Sequence, residues 1–297
     1  MTPSNPPGEI RVGTSGYSFP DWVGPFYPPG MKSGEFLSSY SRQFDVVEVN
    51  STYYRIPPPR VIEQMERKTP DDFHFVVKLH QSMTHEGDLE SSNVRDFLAA
   101  LAPLQSAGKY DGLLAQFPWG FRRSRTSLEH LVTLREKFPG EPLWVEFRHD
   151  SWAIPEVPVF LREHALGFCA VDEPALQGLM PPVTAVTTDC AYVRFHGRNA
   201  GTWWARPARP NDLFGPATGA SGGPEPSKST QRRERGGGDR YDYDYSAAEL
   251  GEWVKRIAEL AQQARRTYLF FNNCHAGQAA RNASLMKELL RQQQLPA

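Results

Sequence analysis

The sequence predicts an α/β protein folded as a single (β/α)8 barrel of the TIM type. Eight short apolar runs, rich in Val, Phe and Tyr, alternate with segments of helical periodicity over the length of one domain. A doubly wound open sheet is the competing architecture, and its first strand–helix turn often carries G-x-G-x-x-G. The first predicted strand is instead followed by Gly13-Thr14-Ser15-Gly16-Tyr17, which does not fit that pattern. We therefore predict a barrel over residues 10–295, preceded by a flexible N-terminus of residues 1–9.

Strands and helices alternate regularly along the chain. The predicted strands cover 10–14, 46–50, 73–80, 112–117, a run that begins at 143, 167–172, 191–196 and 267–272. Apolar residues at helical spacing predict helices around Val94–Leu101 and Leu250–Ile257. Capping-box patterns, in which Ser or Thr precedes Glu by three positions, predict helix starts at Ser246 and Thr126.

One segment interrupts this alternation. Residues 205–240 are rich in Pro, Gly, Ser, Arg and Glu and have few apolar side chains, so they cannot bury a core. We predict a disordered, low-complexity loop insertion between strand 7 and its helix rather than a domain boundary. Its arginines could touch an anion, but neighbouring Glu234 and plain solubility are the simpler explanation.

The composition excludes several classes of protein. A formal net charge of −1 gives no global basic surface for nucleic acid. The three cysteines, Cys169, Cys190 and Cys274, form no C-x-x-C pair, so neither a disulfide framework nor a zinc knuckle is indicated. No apolar run reaches the ~18 residues of a membrane span, and the N-terminal residues lack the pattern of a signal peptide. We predict a cytoplasmic protein with no membrane partner.

The run over residues 143–152 carries the strongest signal for a site. Because side chains alternate between the two faces of a strand, Glu146 and Arg148 share one face, while the apolar residues beside them share the other. Polar residues end most of the other predicted strands in the same way. In a barrel the apolar face meets the helices, so the polar set should converge at the C-terminal mouth, where barrel active sites lie.

The side chains predicted to meet at this mouth have complementary chemistry. Lys78, Arg148 and Arg194 would hold an anion, most simply a phosphate or carboxylate. Glu48 and Glu146 are the best candidates for a catalytic base, and His196 would shuttle a proton near neutral pH. The remaining predicted substrate-binding residues are Asn50, Tyr53, Gln116, Asp172 and Asn272.

Three functions are compatible with this set. The leading hypothesis is an enzyme, possibly a hydrolase or isomerase, that binds a phosphate-bearing sugar, nucleotide or nucleic-acid fragment and performs acid/base chemistry. The second is a non-catalytic module that binds single-stranded or damaged nucleic acid through the same cations and the aromatic residues of the loops. The third is a metal-dependent sugar isomerase or endonuclease, with a divalent ion at Glu146, Asp172 and His196. The eighth strand offers Asn272 where such sites place a carboxylate, so we predict no cofactor and no metal.

Two further interpretations are less favoured. Glu48 and Glu146 could form the acid/base pair of a glycosidase, but cationic neighbours would keep both ionised and make them poor acids. Cys274 beside His275 could be a nucleophile with its base. Adjacent side chains usually point apart, so a core cysteine is the simpler reading.

Several blocks of sequence surround the candidate site residues. They are Val12–Tyr17, Val47–Tyr54, Phe75–Lys78, Gln116–Pro118, Glu146–His149, Arg194–Gly197 and Phe271–Asn273. In combination they resemble the signature blocks of the YecE-like proteins, a domain of unknown function numbered 72, over residues 10–290. The resemblance implies a single TIM-type barrel and a cytoplasmic bacterial or archaeal protein without a settled reaction. Likeness of such barrels to a repair nuclease suggests nucleic-acid binding by analogy, and the insertion at 205–240 departs from the family pattern.

Overall fold

Eight parallel strands form the centre of the molecule, which we describe from a computed structural model over residues 6–90, 92–204 and 239–297. The strands are β1 Glu9–Thr14, β2 Val46–Val49, β3 His74–Lys78, β4 Tyr110–Gln116, β5 Leu143–Glu146, β6 Gly167–Asp172, β7 Cys190–Phe195 and β8 Arg266–Phe271. They pair in the order β1-β8-β7-β6-β5-β4-β3-β2. The outer strands of this order, β1 and β2, meet at a bridge between Ser15 and Glu48, so the barrel is nearly closed. The predicted (β/α)8 barrel is confirmed.

Helices cover the outside of the barrel. They are α1 Phe36–Tyr40, α2 Pro59–Glu66, α3 Gln81–Thr84, α4 Asn93–Ser106, α5 Arg125–Lys137, α6 Glu156–Glu163, α7 Ala247–Gln263 and α8 Gln278–Gln292. The capping box predicted at Ser246 is present at the start of α7. The one predicted at Thr126 is wrong, because α5 begins one residue earlier and Ser124, in extended conformation, accepts the backbone N–H of Ser127. None of the helices in the described ranges combines the length and apolar character needed to cross a membrane.

The predicted domain boundaries can be placed against these elements. β1 begins at Glu9, one residue before the predicted start of the barrel, and residues 1–5 lie outside the described residues. The predicted insertion follows β7 and precedes α7, as expected. Residues 205–238 of it lie outside the described residues, so the disorder predicted there stays a prediction. Its last two residues belong to a short 3-10 helix over Asp239–Tyr241.

Side chains that point into the barrel form three layers. The layers at the N-terminal end of the barrel and at its C-terminal mouth are both charged. Between them lies an aromatic layer of Trp144, Tyr192, Tyr268 and Phe270. The ring of Trp144 on β5 contacts that of Tyr268 on β8 at 5.3 Å between centroids, although these strands are not neighbours, so the contact crosses the lumen. The aromatic layer therefore separates the two charged layers.

Two glycines make room for Trp144 in this layer. A Cβ atom on Gly167 would lie 2.2 Å from Trp144 Cδ1, and one on Gly112 would lie 2.6 Å from Cζ3 of the same ring. Gly112 also has a φ of +139°, which an L side chain rarely adopts. The sequence thus fits the bulkiest side chain of the lumen against the two residues that have no side chain.

Candidate active site

Arg194 is the centre of the charged layer at the mouth. Its Nη1 donates to Glu146 Oε2 and its Nη2 donates to Glu48 Oε1, both at 2.6 Å. The three residues belong to β7, β5 and β2, so this ion-pair network spans the lumen. Both carboxylates are completely buried. Such an arrangement is stable only while each charge keeps its partner.

Arg148 forms a second bridge above Arg194. Its Nε lies 2.6 Å from Glu146 Oε1, and its Nη1 donates to Glu173 Oε2 at 3.1 Å. Burial alone would raise the pKa of Glu146, but Arg148 and Arg194 outweigh it and hold the pKa well below its usual range. Among the described residues, Arg148 is the one guanidinium partner of Glu173, and burial raises the pKa of Glu173 to about 7. Arg148 therefore lies between a permanently ionised carboxylate and one that titrates near neutral pH.

His196 is held neutral in this network. Its Nδ1 lies 3.1 Å from Asn272 Nδ2, which can only donate, so the ring proton belongs on Nε2. That Nε2 faces Glu146 Oε1 at 3.3 Å. Burial, reinforced by the positive charge of Arg148, lowers the pKa of His196 to about 3. At neutral pH this imidazole is uncharged and lies beside the Glu146 carboxylate, so it is not a proton reservoir.

Lys78 reaches the mouth from the last position of β3. Its Nζ donates to Gln116 Oε1 at 2.7 Å and lies 4.4 Å from the centroid of the Tyr53 ring. Burial lowers the pKa of Lys78 to about 7, and the nearby Arg194 acts in the same direction. At neutral pH, Lys78, which the sequence predicts to bind an anion, is therefore divided about equally between its amine and ammonium forms.

Several polar atoms of the mouth are buried without a hydrogen-bond partner in the described part of the chain. They include Asn50 Oδ1, Arg194 Nε and His196 Nε2. Asn50 is fixed by its other atom, Nδ2, which donates to Ser15 O at 3.2 Å. Buried polar groups are rarely left unpaired in folded proteins, so these atoms mark where a ligand or water would be held.

The structure brings together all of the predicted site residues except one. The residues in contact through the network are Glu48, Asn50, Tyr53, Lys78, Gln116, Glu146, Arg148, Arg194, His196 and Asn272. Asp172 points to the other side of β6, where Arg198, Tyr245 and Trp253 of the α7 side donate to its carboxylate. Its neighbour Glu173 enters the lumen instead. The sequence signal at the end of β6 was an acidic pair, and strand alternation places one member on each side.

The three residues considered for a metal are not gathered into one site. Glu146 and His196 are neighbours, but Asp172 is bound by the three donors outside the strand. Across the described ranges, no group of three His, Cys, Asp or Glu side chains is placed to hold a metal ion. Cys274 is buried, and its Sγ contacts Ser15 O at 3.5 Å, while His275 pairs with Asp242 at 3.7 Å. The two side chains of that pair therefore do not act together.

Besides Glu173, two residues of the network were not predicted from the sequence. Tyr192 donates from its hydroxyl to Glu48 Oε2 at 2.7 Å, which completes the pairing of that carboxylate. Ser15 accepts from Arg194 Nη2 at 3.2 Å through its Oγ. Tyr192 lies two positions before Arg194 on β7, so the alternation rule could have found it. Ser15 follows the end of β1 and gives no such signal.

Aromatic residues of the loops divide into two groups. Trp22, Trp152 and Trp203 are buried under the loops. Trp119 and Trp204 are 37% and 52% exposed, and their ring centroids lie 5.6 Å apart in an edge-on arrangement. The Arg122 guanidinium lies 4.8 Å from the Trp119 ring. These two rings are a candidate stacking surface.

Comparison with known proteins places the chain in a family. The model of the family described as "Protein of unknown function DUF72" matches residues 11–297. This chain belongs to the DUF72 family. Among curated relatives, the UPF0759 protein YunF of Bacillus subtilis strain 168 is 30% identical over 95% of this chain and 94% of its own length. The UPF0759 protein YecE of Escherichia coli K12 is 33% identical over 48% of this chain and 50% of its own length.

Solved structures of the DUF72 family agree with the fold. A family member from Thermotoga maritima MSB8 superposes with a TM-score of 0.80 at 40% identity, covering 95% of this chain and 99% of that one. One from Enterococcus faecalis V583 gives a TM-score of 0.76 at 26% identity, covering 95% of each chain. The family resemblance predicted from the sequence blocks is thereby confirmed.

Proposed function

We propose that this DUF72 protein is an enzyme that binds a small phosphate-bearing ligand at the barrel mouth and performs acid/base chemistry on it. The observation that carries the proposal is the position of Arg148 between Glu146 and Glu173. Glu146 stays ionised, whereas Glu173 has a pKa raised by burial to about 7. Protonation of Glu173 would release one edge of the Arg148 guanidinium, whose fork of donors matches a phosphate.

The proton-transferring groups in this proposal are Lys78 and Glu173. A general acid or base works best when its pKa lies near the working pH, and burial brings both groups to about 7. This proposal differs from the sequence prediction, in which Glu48 and Glu146 are catalytic bases and His196 is a proton shuttle. Glu48 and Glu146 pair with arginines, and His196 is held neutral, so we assign the three residues to positioning Arg148 and Arg194.

A ligand panel tests this proposal. Sugar phosphates, nucleoside monophosphates and their unphosphorylated counterparts are screened for the rise in Tm that they cause. We expect a phosphorylated compound to stabilise wild type but not Arg148→Gln. Arg265→Gln is the matched control, because Arg265 is exposed and pairs with Asp189 at the opposite end of the barrel. Arg148→Lys keeps the charge without the fork and should respond weakly.

The outcomes of the panel separate the possibilities. Equal stabilisation of wild type and Arg148→Gln would place the ligand elsewhere and contradict the proposal. Absence of any response to phosphorylated compounds would contradict it as well. Circular dichroism and the Tm without ligand show whether each variant is folded, and Arg148→Lys gives the answer if Arg148→Gln is not.

The exposed Trp119 and Trp204 favour a second candidate, binding of single-stranded nucleic acid. Stacking of a base on an aromatic ring contributes about 1–3 kcal/mol, and Arg122 would add a phosphate contact. Fluorescence anisotropy of a short labelled DNA over a salt series tests it. This function predicts affinity that falls steeply with salt and is lost in Trp119→Ala. Absence of binding at low salt would remove this candidate and leave the small-ligand enzyme.

A further inference from the structure

Two buried lysines of this protein have opposite surroundings. Lys109 is 2% exposed, and its Nζ pairs with Glu66 Oε1 at 3.0 Å and donates to the carbonyl oxygens of Glu66 and Thr69. This is how a structural lysine is expected to be buried. Lys78 is 6% exposed, and its Nζ contacts one neutral amide oxygen, of Gln116, and one aromatic face, of Tyr53. In the part of the chain that the structure describes, no carboxylate forms an ion pair with it.

The position of Lys78 suits a reactive amine. It is the last residue of β3, so its side chain rises into the C-terminal mouth, where barrel enzymes bind substrates. The Gln116 amide oxygen accepts one hydrogen bond from Nζ. The ammonium form then has two further N–H groups to donate, and the neutral amine has a free lone pair. The titratable and charged groups that act on Lys78 are Glu48, Tyr53, His85, Glu146, Arg148 and Arg194.

We propose that Lys78 forms an imine with the carbonyl carbon of a phosphorylated aldehyde or ketone. The inference rests on the proposed function, because it names the substrate class of the same site. The neutral Nζ donates its lone pair to the carbonyl carbon, so that a C–N bond forms. The carbon–oxygen bond breaks, and the oxygen leaves as water with the two hydrogens of the amine. The imine nitrogen then takes one proton from the medium. No oxidant or reductant is needed.

The surroundings of Lys78 support each part of this step. Nucleophilic attack needs the free amine, and burial lowers the pKa of Lys78 to about 7, so a large share of it is unprotonated at neutral pH. The imine, once protonated, is a cation in a layer that contains the carboxyl groups of Glu48 and Glu146, which pair with Arg194. Arg148 is available for the phosphate group of the substrate. A protonated imine draws electrons from the neighbouring carbon, which is what acid/base chemistry at that carbon requires.

Reductive trapping tests the inference. The full-length protein is incubated at pH 7 with dihydroxyacetone phosphate or with dihydroxyacetone, reduced with sodium borohydride, digested and mapped by mass spectrometry. We expect Lys78 to be labelled by the phosphorylated ketone at least about tenfold faster than Lys287, a partly exposed lysine of α8. Lys109 is the buried control and should stay unlabelled. Lys78→Arg should lose the label, and circular dichroism shows whether that variant is folded.

Three outcomes are informative. Preferential labelling by dihydroxyacetone phosphate supports both the imine and the phosphate site. Equal labelling of Lys78 by both ketones supports the imine and contradicts the proposed phosphate function. Labelling of Lys78 no faster than that of Lys287 overturns the imine, whatever the ligand panel shows, because the small reagent reports on the amine itself. A parallel reaction with formaldehyde and cyanoborohydride confirms that Lys78 is accessible to reagents.

Discussion

The two ends of the barrel carry similar charges but bury them to different degrees. At the N-terminal end, Arg11 and Arg266 pair with Glu9 at 2.7 Å, and the side chain of Glu9 is 43% exposed. At the C-terminal mouth, Arg194 pairs with Glu48 and Glu146, whose side chains are not exposed at all. Water screens the first set and is excluded from the second.

This difference separates a structural end from a functional one. Exposed ion pairs contribute little to stability, whereas buried ones are costly to form and tolerate no missing partner. The mouth also contains groups that titrate near neutral pH, Lys78 and Glu173. At the N-terminal end, Asp111 is fully engaged by His74, Tyr268 and Arg266, and its pKa is lowered.

Loss of an arginine should therefore have the largest effect at the mouth. Arg194→Met would leave Glu48 and Glu146 buried without their shared partner, and we expect the free energy of unfolding to fall by about 3–5 kcal/mol. Arg265→Met at the other end should cost about 1 kcal/mol or less, since Arg265 and its partner Asp189 are both exposed. Urea unfolding of both variants gives the comparison. Equal losses would mean that the two ends do not differ as described.

The aromatic layer that keeps the ends apart should be intolerant of added volume. Gly167→Ala would place a methyl group 2.2 Å from the Trp144 ring, and we expect it to lower the free energy of unfolding by up to about 3 kcal/mol. Gly251→Ala in α7 is the control, because nothing lies within 4 Å of its added Cβ. That change should stabilise the protein by about 0.5–1 kcal/mol through helix propensity. If Gly167→Ala were equally harmless, the layer would be loosely packed.

The pH dependence of stability should distinguish a histidine at the mouth from a carboxylate at the other end. The folded pKa of His196, about 3, lies below its ordinary value of 6.5, so the unfolded chain binds the proton first and stability falls as pH drops below 6.5. The advantage of wild type over His196→Gln should shrink by about 2 kcal/mol between pH 7 and pH 5. Measuring the difference between variants removes the opposite trend of Glu173, whose raised pKa makes stability fall as pH rises towards 7.

Asp111→Asn is the control for this measurement at the N-terminal end. The pKa of Asp111 is lowered from 3.8, so its contribution is complete above that value and is lost only below it. The difference between wild type and Asp111→Asn should stay constant between pH 7 and pH 5. A difference for His196→Gln that is equally constant would show that His196 is not held neutral in the folded protein.

The sequence was sufficient to predict the barrel and most of its mouth. Period-two alternation and strand ends placed Lys78, Glu146 and Arg194 in one cluster, because parallel strands bring their carboxyl ends to the same edge. The partners within the cluster could not be predicted. Arg194 and Glu48 are 146 positions apart, and their pairing depends on the closure of the barrel, which no local pattern encodes.

The acidic pair Asp172-Glu173 shows the limit most clearly. Asp172 is the last residue of β6 and Glu173 follows it. The other side chains of β6 are apolar or small, so the pattern contains no marker of which face is inward. We predicted Asp172, and the structure brings Glu173 into the network, one position further. The predicted roles also depended on pairing that only the fold reveals. The sequence predicts His196 to be a proton shuttle, whereas in the structure its contacts with Asn272 and Glu146 fix its tautomer.

The most direct test of a functional mouth is the pH dependence of ligand affinity. The phosphorylated compound that raises Tm most is titrated calorimetrically into wild type and Glu173→Gln at pH 6 and pH 8. Because protonation of Glu173 frees Arg148, the affinity of wild type relative to the variant should rise about tenfold from pH 8 to pH 6. The ligand's own ionisation cancels in that ratio. A ratio that does not change with pH would contradict the role assigned to Arg148 and Glu173.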